Sequence, residues 1–443
     1  MKCIQSPEDT WDQIITFAHH FIMASGDSKK LLSNFIALGI IQGANFVLPV
    51  LVMPFVIRRI GPDLFGVVSV AQVVMIFLST VSDYGFNLTA TRDIAFFRED
   101  KEKISRIFSN VLASKFMICG LTFLLLLLLI PVIPVLKNHY ILYLLGFVYV
   151  IGQSALVGWF FQGMEKMQYI TISTLIARLL FVALVFVFIR DKSDHIYFLF
   201  FLGVGNIMAG VFSIYLAFRI FKLKFYRPKW IDIKHELKEG WHITVSNLSI
   251  NTYQYINIVV LRLFTNDLIV GYYSIAEKIF FAVRQVLGIF SQVVYPHICQ
   301  LTRIGKRESA RFFKQFYMPF LMLLLLGCIA VFVLSPYIIQ IFLGREQDLP
   351  ILLLRILSFV PVIVCLNIPA YQVLLAFDRK KSYFKILVSA TIVSLITNLL
   401  FCSRWGAVGT SVSVIITELF VTSGLNWELK RNKLTAFVNY GII

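Results

Sequence analysis

Long apolar runs alternate with short, charged segments along most of the chain. About twelve of these runs are long enough to cross a hydrocarbon layer of about 30 Å as helices. The strands of a membrane β-barrel would instead give short segments of alternating hydrophobicity, and the pattern contains none of these. The sequence therefore predicts an all-α polytopic membrane protein. The predicted spans are 34–57, 67–89, 109–132, 141–162, 169–190, 196–218, 241–263, 272–295, 316–340, 350–375, 383–402 and 407–427.

The start of the second predicted span is repeated in the second half of the chain. The segment 63–72 (DLFGVVSVAQ) matches 267–277 (DLIVGYYSIAE), and a weaker similarity links 163–169 with 377–383. We interpret the chain as one membrane unit that is used twice. Six spans per unit is an even number, so both units enter the membrane in the same direction. This predicts two six-helix bundles related by a pseudo-two-fold axis along the membrane normal, with a central cleft between them.

The longest polar segment between predicted spans, 219–240, separates the two units. It is basic and aromatic, which predicts an amphipathic helix on the inner leaflet, with anionic lipids of that leaflet as partners. Two interpretations of the first 32 residues stay open, because they could form an interfacial arm or translation could start at Met23. The predicted division is 1–32 for the cytoplasmic arm, 33–218 for the first bundle, 219–240 for the linker, 241–427 for the second bundle and 428–443 for the cytoplasmic tail.

Composition agrees with this class and charge gives the orientation. Of 443 residues 58% are hydrophobic, the mean hydropathy is +0.80 and the formal net charge is +17. The basic residues are not accompanied by a nucleic-acid-binding motif. They fall instead on one side of the predicted topology, where 28 Lys and Arg face 8 on the other side. The positive-inside rule then predicts that both termini are cytoplasmic.

The sequence predicts no enzyme. It lacks a glycine-rich loop followed by a lysine that would hold a nucleotide phosphate. It also lacks histidine and cysteine pairs at the spacing of metal ligands. We therefore expect no cofactor and no metal site.

Polar side chains inside spans 1, 2, 7 and 8 recur at helical spacing, so each set lies along one face of its helix. These four spans are the best candidates to line the cleft. The amides of span 7 have an alternative role as contacts between helices. The amide residues predicted to line the cleft are Asn45, Gln72, Asn247, Asn251 and Gln254.

Ionisable residues inside spans are costly, at about 2.5–3.5 kcal/mol each by insertion scales. Five are cationic and two are anionic, which favours an anionic cargo. Alternatives remain open, because Lys115, Arg178 and Arg355 could snorkel to the interface and Glu277 could be a structural partner of Arg284 or Lys278. Asp83 lies near the end of its span and is not included in the predicted site. The ionisable residues inside spans are Lys115, Arg178, Glu277, Lys278, Arg284, Arg355 and Glu418.

Several motifs resemble those of the Wzx-type polysaccharide flippases, a family within the multidrug/oligosaccharidyl-lipid/polysaccharide exporter superfamily. The most specific is the pair 61–66 (GPDLFG) and 83–93 (DYGFNLTATRD) that flanks span 2. The segments 271–278 and 159–163 are similar to family patterns as well. The resemblance covers roughly residues 30–430.

This resemblance implies a function. Such proteins move an undecaprenyl-pyrophosphate-linked sugar repeat unit from the cytoplasmic to the periplasmic leaflet of the bacterial inner membrane. The family also suggests a polysaccharide polymerase and a chain-length regulator as partners. Two alternatives stay open, which are a cation-coupled multidrug antiporter and a non-transporting scaffold of a glycan-polymerising complex. The first is less favoured, because no acidic residue is predicted in the middle of a span of the first bundle.

The resemblance and the polar residues together give a hypothesis for the site. Arg284 and Lys278 would bind the pyrophosphate or acidic sugars, and Glu277 would couple transport to an ion, H⁺ or Na⁺. Asn247, Asn251 and Gln254 would bind sugar hydroxyls. Lys115 and Arg178, with Gln72 and Asn45, would complete the lining of the cleft.

Overall fold

The computed structural model describes residues 51–228 and 230–438, and this part of the chain is helical with no β-strand. Eight of its helices are long and apolar enough to cross a membrane. The protein is therefore a multi-pass membrane protein. We refer to 51–228 as the N-terminal half and to 230–438 as the C-terminal half.

Helices α1 to α9 form the N-terminal half. Their bounds are 51–60 for the described part of α1, Pro62–Asp83 (α2), Phe86–Phe96 (α3), Lys101–Leu129 (α4), Pro134–Asn138 (α5), Tyr140–Ala155 (α6), Gly158–Gly163 (α7), Met167–Phe188 (α8) and Tyr197–Phe221 (α9), with a 3₁₀ turn at Lys192–Ile196 before α9.

Helices α10 to α16 form the C-terminal half. Their bounds are Trp230–Phe264 (α10), Asp267–Ile304 (α11), Lys306–Phe312 (α12), Met318–Leu343 (α13), Asp348–Ser358 (α14), Val360–Ala376 (α15) and Lys380–Arg431 (α16). A π-helical turn, Phe313–Tyr317, joins α12 to α13, and a 3₁₀ turn, Thr435–Phe437, follows α16. Most helices extend past the predicted spans, because a helix continues into the interface where its polar residues are solvated.

Helix α16 is folded back on itself as a hairpin. Gly406 has φ 54° and ψ −131°, which breaks the helix and which a residue with a side chain rarely adopts. Beyond it the two arms pack closely, because a Cβ on Gly409 would collide with the carbonyl group of Phe401. The Thr397 and Ser413 hydroxyls, one from each arm, are 2.7 Å apart. The arms correspond to the two predicted spans 383–402 and 407–427.

Two unusual backbone turns occur once in each half. Glu165 and Asp378 both have φ 56°, and in each case the next amide returns to a carbonyl five residues earlier at 2.8 Å. Lys222 and Lys433 have φ 54° and 57° and follow the last long helix of their respective halves. Left-handed residues other than glycine are uncommon, so their matched positions indicate matching backbone paths.

The linker differs from the prediction. Residues 222–228 are not helical, so the predicted helix on the inner leaflet is wrong for this segment, and helix begins again only at Trp230. The segment is held on α4, where the backbone amide of Lys224 donates to Ser105 Oγ at 3.2 Å and that of Tyr226 donates to Ser109 Oγ at 3.0 Å. Backbone amides that are satisfied by a neighbouring helix have no need of helical hydrogen bonds.

The two copies of the repeated motif pack directly against each other. A Cβ on Gly66 would overlap the Asp267 carbonyl group and lie 2.8 Å from the Gly271 amide nitrogen. A Cβ on Gly271 would in turn overlap the Pro62 carbonyl oxygen. We call this contact the glycine joint. Only glycine permits such an approach of two backbones, so α2 and α11 are in contact from their first turns.

Candidate functional site

Helix α10 lies where the two halves meet. It contains predicted span 7 and carries the polar residues predicted along one face of that span. Its first turns contact the end of α2, where a Cβ on Gly240 would lie 2.9 Å from the Tyr84 ring and one on Gly85 would lie 2.8 Å from Ile243. We call this the Gly240 end of the molecule and the end with the glycine joint the Gly66 end. Two polar recesses lie along α10 between these ends.

The first recess, which we call the Lys115 recess, is a cavity of about 410 Å³ between α2, α4, α6 and α10. Lys115 Nζ lies 2.9 Å from Asp83 Oδ1 and 3.4 Å from the Leu156 carbonyl oxygen. The lysine side chain is only 1% exposed, so it does not snorkel to the interface. Asn87 Nδ2 donates to the second carboxylate oxygen of Asp83 at 2.5 Å. A buried ammonium group needs such partners to offset its desolvation.

Two predicted residues of α10 face the Lys115 recess. Asn247 and Asn251 both line it. Asn251 Nδ2 also donates to Thr80 Oγ1 of α2 at 2.6 Å, which links the two halves. The amides of α10 thus serve both as lining and as contacts between helices.

The second recess, which we call the Arg284 recess, is a cavity of about 270 Å³ inside the C-terminal half. Arg284 Nη1 lies 3.4 Å from Glu418 Oε1, and the Arg284 guanidinium stacks over the Tyr253 ring at 5.7 Å. The Tyr253 hydroxyl donates to the same carboxylate oxygen. Glu418 is 3% exposed and Arg284 is 21% exposed. The arginine therefore presents part of its guanidinium to the cavity, which Gln254 also lines.

Between the glycine joint and the two recesses, Lys278 of α11 contacts Gln72 of α2. Lys278 Nζ donates to Gln72 Oε1 at 2.7 Å, and both residues were predicted for the site. Glu277 is buried and borders a small gap together with Arg284 and Glu418. The carboxylate that pairs with Arg284 is Glu418. Arg284 and Lys278 were the two structural partners considered for Glu277 from the sequence. Of these, Arg284 is paired with Glu418 instead.

The remaining predicted residues lie elsewhere. Arg178 of α8 is half-buried and is not among the residues that line either recess. Arg355 donates from Nε to Ser335 Oγ at 3.0 Å and stacks on Phe332 at 5.4 Å, so it joins α14 to α13 away from both recesses. Asn45 lies outside the described residues.

Near the Gly240 end, beyond the predicted span of α10, acidic residues meet α3. Arg92 Nη2 lies 2.6 Å from Glu239 Oε2, and the hydrogen bond from Arg92 holds the pKa of Glu239 below its usual value. Burial, followed by the charge of Asp93, raises the pKa of Glu236 to about 7. The start of α10 therefore carries a carboxyl group that titrates near neutral pH.

Comparison with known proteins assigns the chain to a family. The model of the polysaccharide biosynthesis protein family matches residues 31–302, which is more than half of the chain. The chain belongs to this family. The matched segment contains both copies of the repeated motif, the Lys115 recess and Arg284. Glu418 lies beyond it.

Curated relatives of this family member match over nearly the whole chain. A putative O-antigen transporter of Escherichia coli (strain K12) is 27% identical over 413 residues, which cover 91% of this chain and 98% of the relative. A putative O-antigen transporter of Shigella dysenteriae is 27% identical over 88% of this chain and 97% of the relative. Family and relatives together support a Wzx-type polysaccharide flippase.

Solved structures show the fold of this family member. The lipid II flippase MurJ in an inward closed conformation has a TM-score of 0.70 at 14% identity, and covers 93% of this chain and 91% of its own. An inward-facing multidrug resistance MATE family transporter has a TM-score of 0.63 at 13% identity, and covers 91% and 98%. At these identities the likeness concerns the fold, which is that of a polytopic membrane transporter.

Three residues of the site were not predicted from the sequence. Asp83, Glu418 and Tyr253 complete the two charged clusters. Asp83 was set aside because it ends α2, although the residue that it pairs with, Lys115, was among those predicted. The signal that could have found both acids is the number of buried cations, because each buried cation requires an anionic or dipolar partner.

Proposed function

We propose that the protein is a flippase for undecaprenyl-pyrophosphate-linked oligosaccharide repeat units of O-antigen or of a capsular or extracellular polysaccharide. It moves them from the cytoplasmic to the periplasmic leaflet of the bacterial inner membrane. The observation that carries the proposal is that two charged, amide-rich recesses share α10 at the meeting of the halves, while the glycine joint closes one end. The family and the O-antigen transporter relatives support a glycan-lipid as the cargo.

The proposed topology has twelve spans in two six-helix bundles, 33–218 and 241–427, with both termini in the cytoplasm. Two of the spans, in α10 and α11, carry too many polar residues to be recognised by hydropathy alone. Helix α16 is one of the eight apolar helices, and its two arms supply two spans. The remaining span is the predicted 34–57, which lies largely outside the described residues. The matched turns at Glu165 and Asp378 support two similar units, and the excess of 28 over 8 basic residues supports the orientation.

In this orientation the glycine joint lies at the periplasmic end and the recesses lie on the cytoplasmic side of it. The halves also touch at the cytoplasmic Gly240 end, through α10 and the end of α2. Transport requires that the joint separates in one state and that the contacts at the Gly240 end separate in the other, which is alternating access by rocking of two similar bundles. The hydrogen bond from Asn251 Nδ2 to Thr80 Oγ1, 2.6 Å long, joins α10 to α2 between the two ends. It would therefore lie near the pivot of the rocking motion.

The Arg284 recess suits the charged part of the cargo. A guanidinium group has five N–H donors in a planar fork, and the 3.4 Å contact with Glu418 uses one nitrogen only. The group also contacts Tyr253, and the part of it that faces the cavity, with the side chain 21% exposed, would bind a pyrophosphate, which arginine can hold in a bidentate way. Lys278, which holds Gln72, would add a second cation once the halves separate. Asn247, Asn251 and Gln254 would then bind sugar hydroxyls.

The Lys115 recess would stabilise the cleft by charge. Asp83 neutralises Lys115, so Lys115 would attract an anionic cargo less strongly than an unpaired cation would. Arg178, half-buried on α8 of the same half, would add positive charge to the cleft. Glu277 is our candidate for coupling to H⁺ or Na⁺, because a buried carboxylate next to Lys278 changes the balance of charge when it binds a cation.

The test is transport in a strain that lacks its own repeat-unit flippase and still makes the lipid-linked unit. Labelled lipid-linked oligosaccharide should become accessible from the periplasmic face when the protein is expressed with the matching glycan genes. Arg284→Ala should lower the rate about tenfold or more, since a hydrogen bond to a charged group contributes about 1.5–3 kcal/mol. The transport rate of Arg284→Lys should lie between those of Arg284→Ala and the wild type, because an ammonium group keeps the charge but lacks the planar fork.

Arg355→Gln is the matched control. It also removes an arginine from a predicted span, but Arg355 contacts Ser335 and Phe332 and lines neither recess. Its transport rate should remain close to that of the wild type. Equal rates for Arg284→Ala and wild type, with both proteins inserted in the membrane, would refute the assignment of Arg284. Absence of transport by the wild type with its native glycan would refute the function.

A cation-coupled multidrug antiporter is the second candidate, and Asp83 is the observation that favours it. The sequence predicts no acidic residue in the middle of a span of the first bundle, whereas Asp83, near the end of α2, lines the Lys115 recess. The adjacent ammonium of Lys115 would repel a cationic drug, which is why we prefer the glycan-lipid. Efflux of cationic dyes that stops in Asp83→Asn would favour the antiporter.

A further inference from the structure

A groove of about 490 Å³ runs between the two arms of α16, on the surface of the C-terminal half. It begins near the ends of α16 and extends toward the middle of the hairpin. Small side chains leave the space for it, at Ser389, Ser423 and Gly424. The arms approach each other at this level, since a Cβ on Gly424 would lie 3.2 Å from Ile386 Cγ2.

The open end of the groove is positively charged. Lys385 and Arg431 line it there and are both exposed. One acidic residue, Glu428, is close to them, but its carboxylate already accepts from Ser382 Oγ at 2.8 Å and Asn432 Nδ2 at 3.0 Å and lies 3.7 Å from Arg431. The surrounding turns of α16 add further basic residues, which are Arg379, Lys380, Lys381 and Lys430.

Apolar and aromatic side chains continue the groove away from this charge. Phe420 lines its inner part, about 16 Å along the helix from Arg431 at 1.5 Å per residue. Trp427 is 63% exposed at the groove, between the two levels. Tryptophan favours the boundary between lipid headgroups and hydrocarbon. The groove thus has a cationic end at the level of headgroups and an apolar end at the level of acyl chains.

We infer that this groove binds one anionic phospholipid of the surrounding leaflet. The phosphate lies between Lys385 and Arg431, and an acyl chain lies along the groove toward Phe420. Charge decides the class of lipid, because the cluster of basic side chains attracts an anionic headgroup more strongly than a zwitterionic one. This inference does not depend on the cargo proposed above.

The occupant is distinct from the cargo because the hairpin itself separates the two sites. Tyr383, Leu387 and Val421 belong to the same arms and line the Arg284 recess on the other face. A molecule with its head in that recess would have to pass through an arm to place its tail in the groove. The groove therefore suits a resident lipid.

Native mass spectrometry of the full chain tests the inference. The purified protein is mixed with phosphatidylglycerol or phosphatidylethanolamine, and the retained lipid is counted. We expect one phosphatidylglycerol to be retained in preference to phosphatidylethanolamine. Lys385→Gln should weaken its binding about fivefold, which is the effect of one basic side chain at a membrane surface. Lys430→Gln is the matched control, because it removes the same charge from the basic cluster of α16 but not from the groove.

A second pair of variants tests the groove without changing charge. Ser423→Trp should fill it and abolish retention, whereas Asn426→Trp adds the same side chain at an exposed position that does not line it. Equal loss in Lys385→Gln and Lys430→Gln would overturn the inference, because it would mean diffuse attraction to the basic side chains of α16 rather than binding in the groove. Displacement of phosphatidylglycerol by equimolar undecaprenyl phosphate would overturn the assignment to a resident lipid and point to the cargo's own tail.

Discussion

Replacing Gly66 by alanine should open the Gly66 end of the molecule. The added Cβ would overlap the Asp267 carbonyl group and lie 2.8 Å from the Gly271 amide nitrogen. Ordinary van der Waals contact begins at about 3.4 Å, and the neighbouring atoms belong to the backbone of α11. They cannot rotate away, so α2 and α11 must move apart. The same substitution at Gly120 meets no atom within 4 Å and serves as the control.

The expected magnitude follows from the cost of overpacking. Inserting a methyl group into a well-packed contact costs about 1–3 kcal/mol. This cost applies to the state in which the joint is closed and is relieved when the halves separate. The ratio of closed to open molecules should therefore fall about 5- to 150-fold. The shift should be visible even if the open state of the wild type is rare.

Accessibility of a cysteine at position 69 measures this shift. Ser69 is buried one turn after Gly66, and Ser69→Cys is a small change. In a background without the native cysteines, labelling by a membrane-impermeant maleimide should be faster in Gly66→Ala than in Gly120→Ala, and only from the side at which the joint opens. Equal labelling rates in the two variants would refute the view that the glycine joint holds this end closed. Labelling from the cytoplasmic side would refute the proposed orientation.

Two further predictions concern charge. Asp83→Asn should destabilise the protein by about 3 kcal/mol, because it leaves Lys115 buried without a counter-charge. Adding Lys115→Met should recover most of this stability, as measured by thermal unfolding in detergent. A further loss of stability in the double variant would contradict the pairing. Since the pKa of Glu236 is raised from 4.5 to about 7, the folded state keeps a proton in this interval that the unfolded state releases. Stability should therefore decline as the pH rises from 4.5 to 7, and Glu236→Gln should flatten that part of the curve of melting temperature against pH.

The helices of the fold could be predicted from the sequence because hydrophobic runs of fixed length are what a bilayer requires. The hairpin of α16 was predicted as two spans, since its polar break at residues 403–406 interrupts the run. The segment 222–228 was mispredicted. Its basic and aromatic residues are compatible with a surface helix, but its conformation is decided by Ser105 and Ser109 on α4. No local pattern reports a partner that lies more than one hundred residues away.

The site was predicted in the same partial way. Helical spacing gives the face on which a residue lies, so Gln254 and Arg284 were expected together and both line the Arg284 recess. Spacing does not give the partner on another helix. Glu418 pairs with Arg284 across 134 positions, and only the folded chain brings them to 3.4 Å. For the same reason the number of intramembrane cations overstated the free positive charge of the cleft.

The glycine joint also has a consequence for the origin of the chain. It is formed by two copies of one motif, so Gly66 meets Asp267 and Gly271 meets Pro62, and each copy presents the same surface to the other. Such self-complementary contact is the property of an isologous interface between identical subunits. A single ancestral unit with this motif could therefore have paired with its own copy. Fusion of two copies would have joined an existing homodimer and left each half free to diverge, as Gln72 and Glu277, which occupy the same position in the two copies, have done.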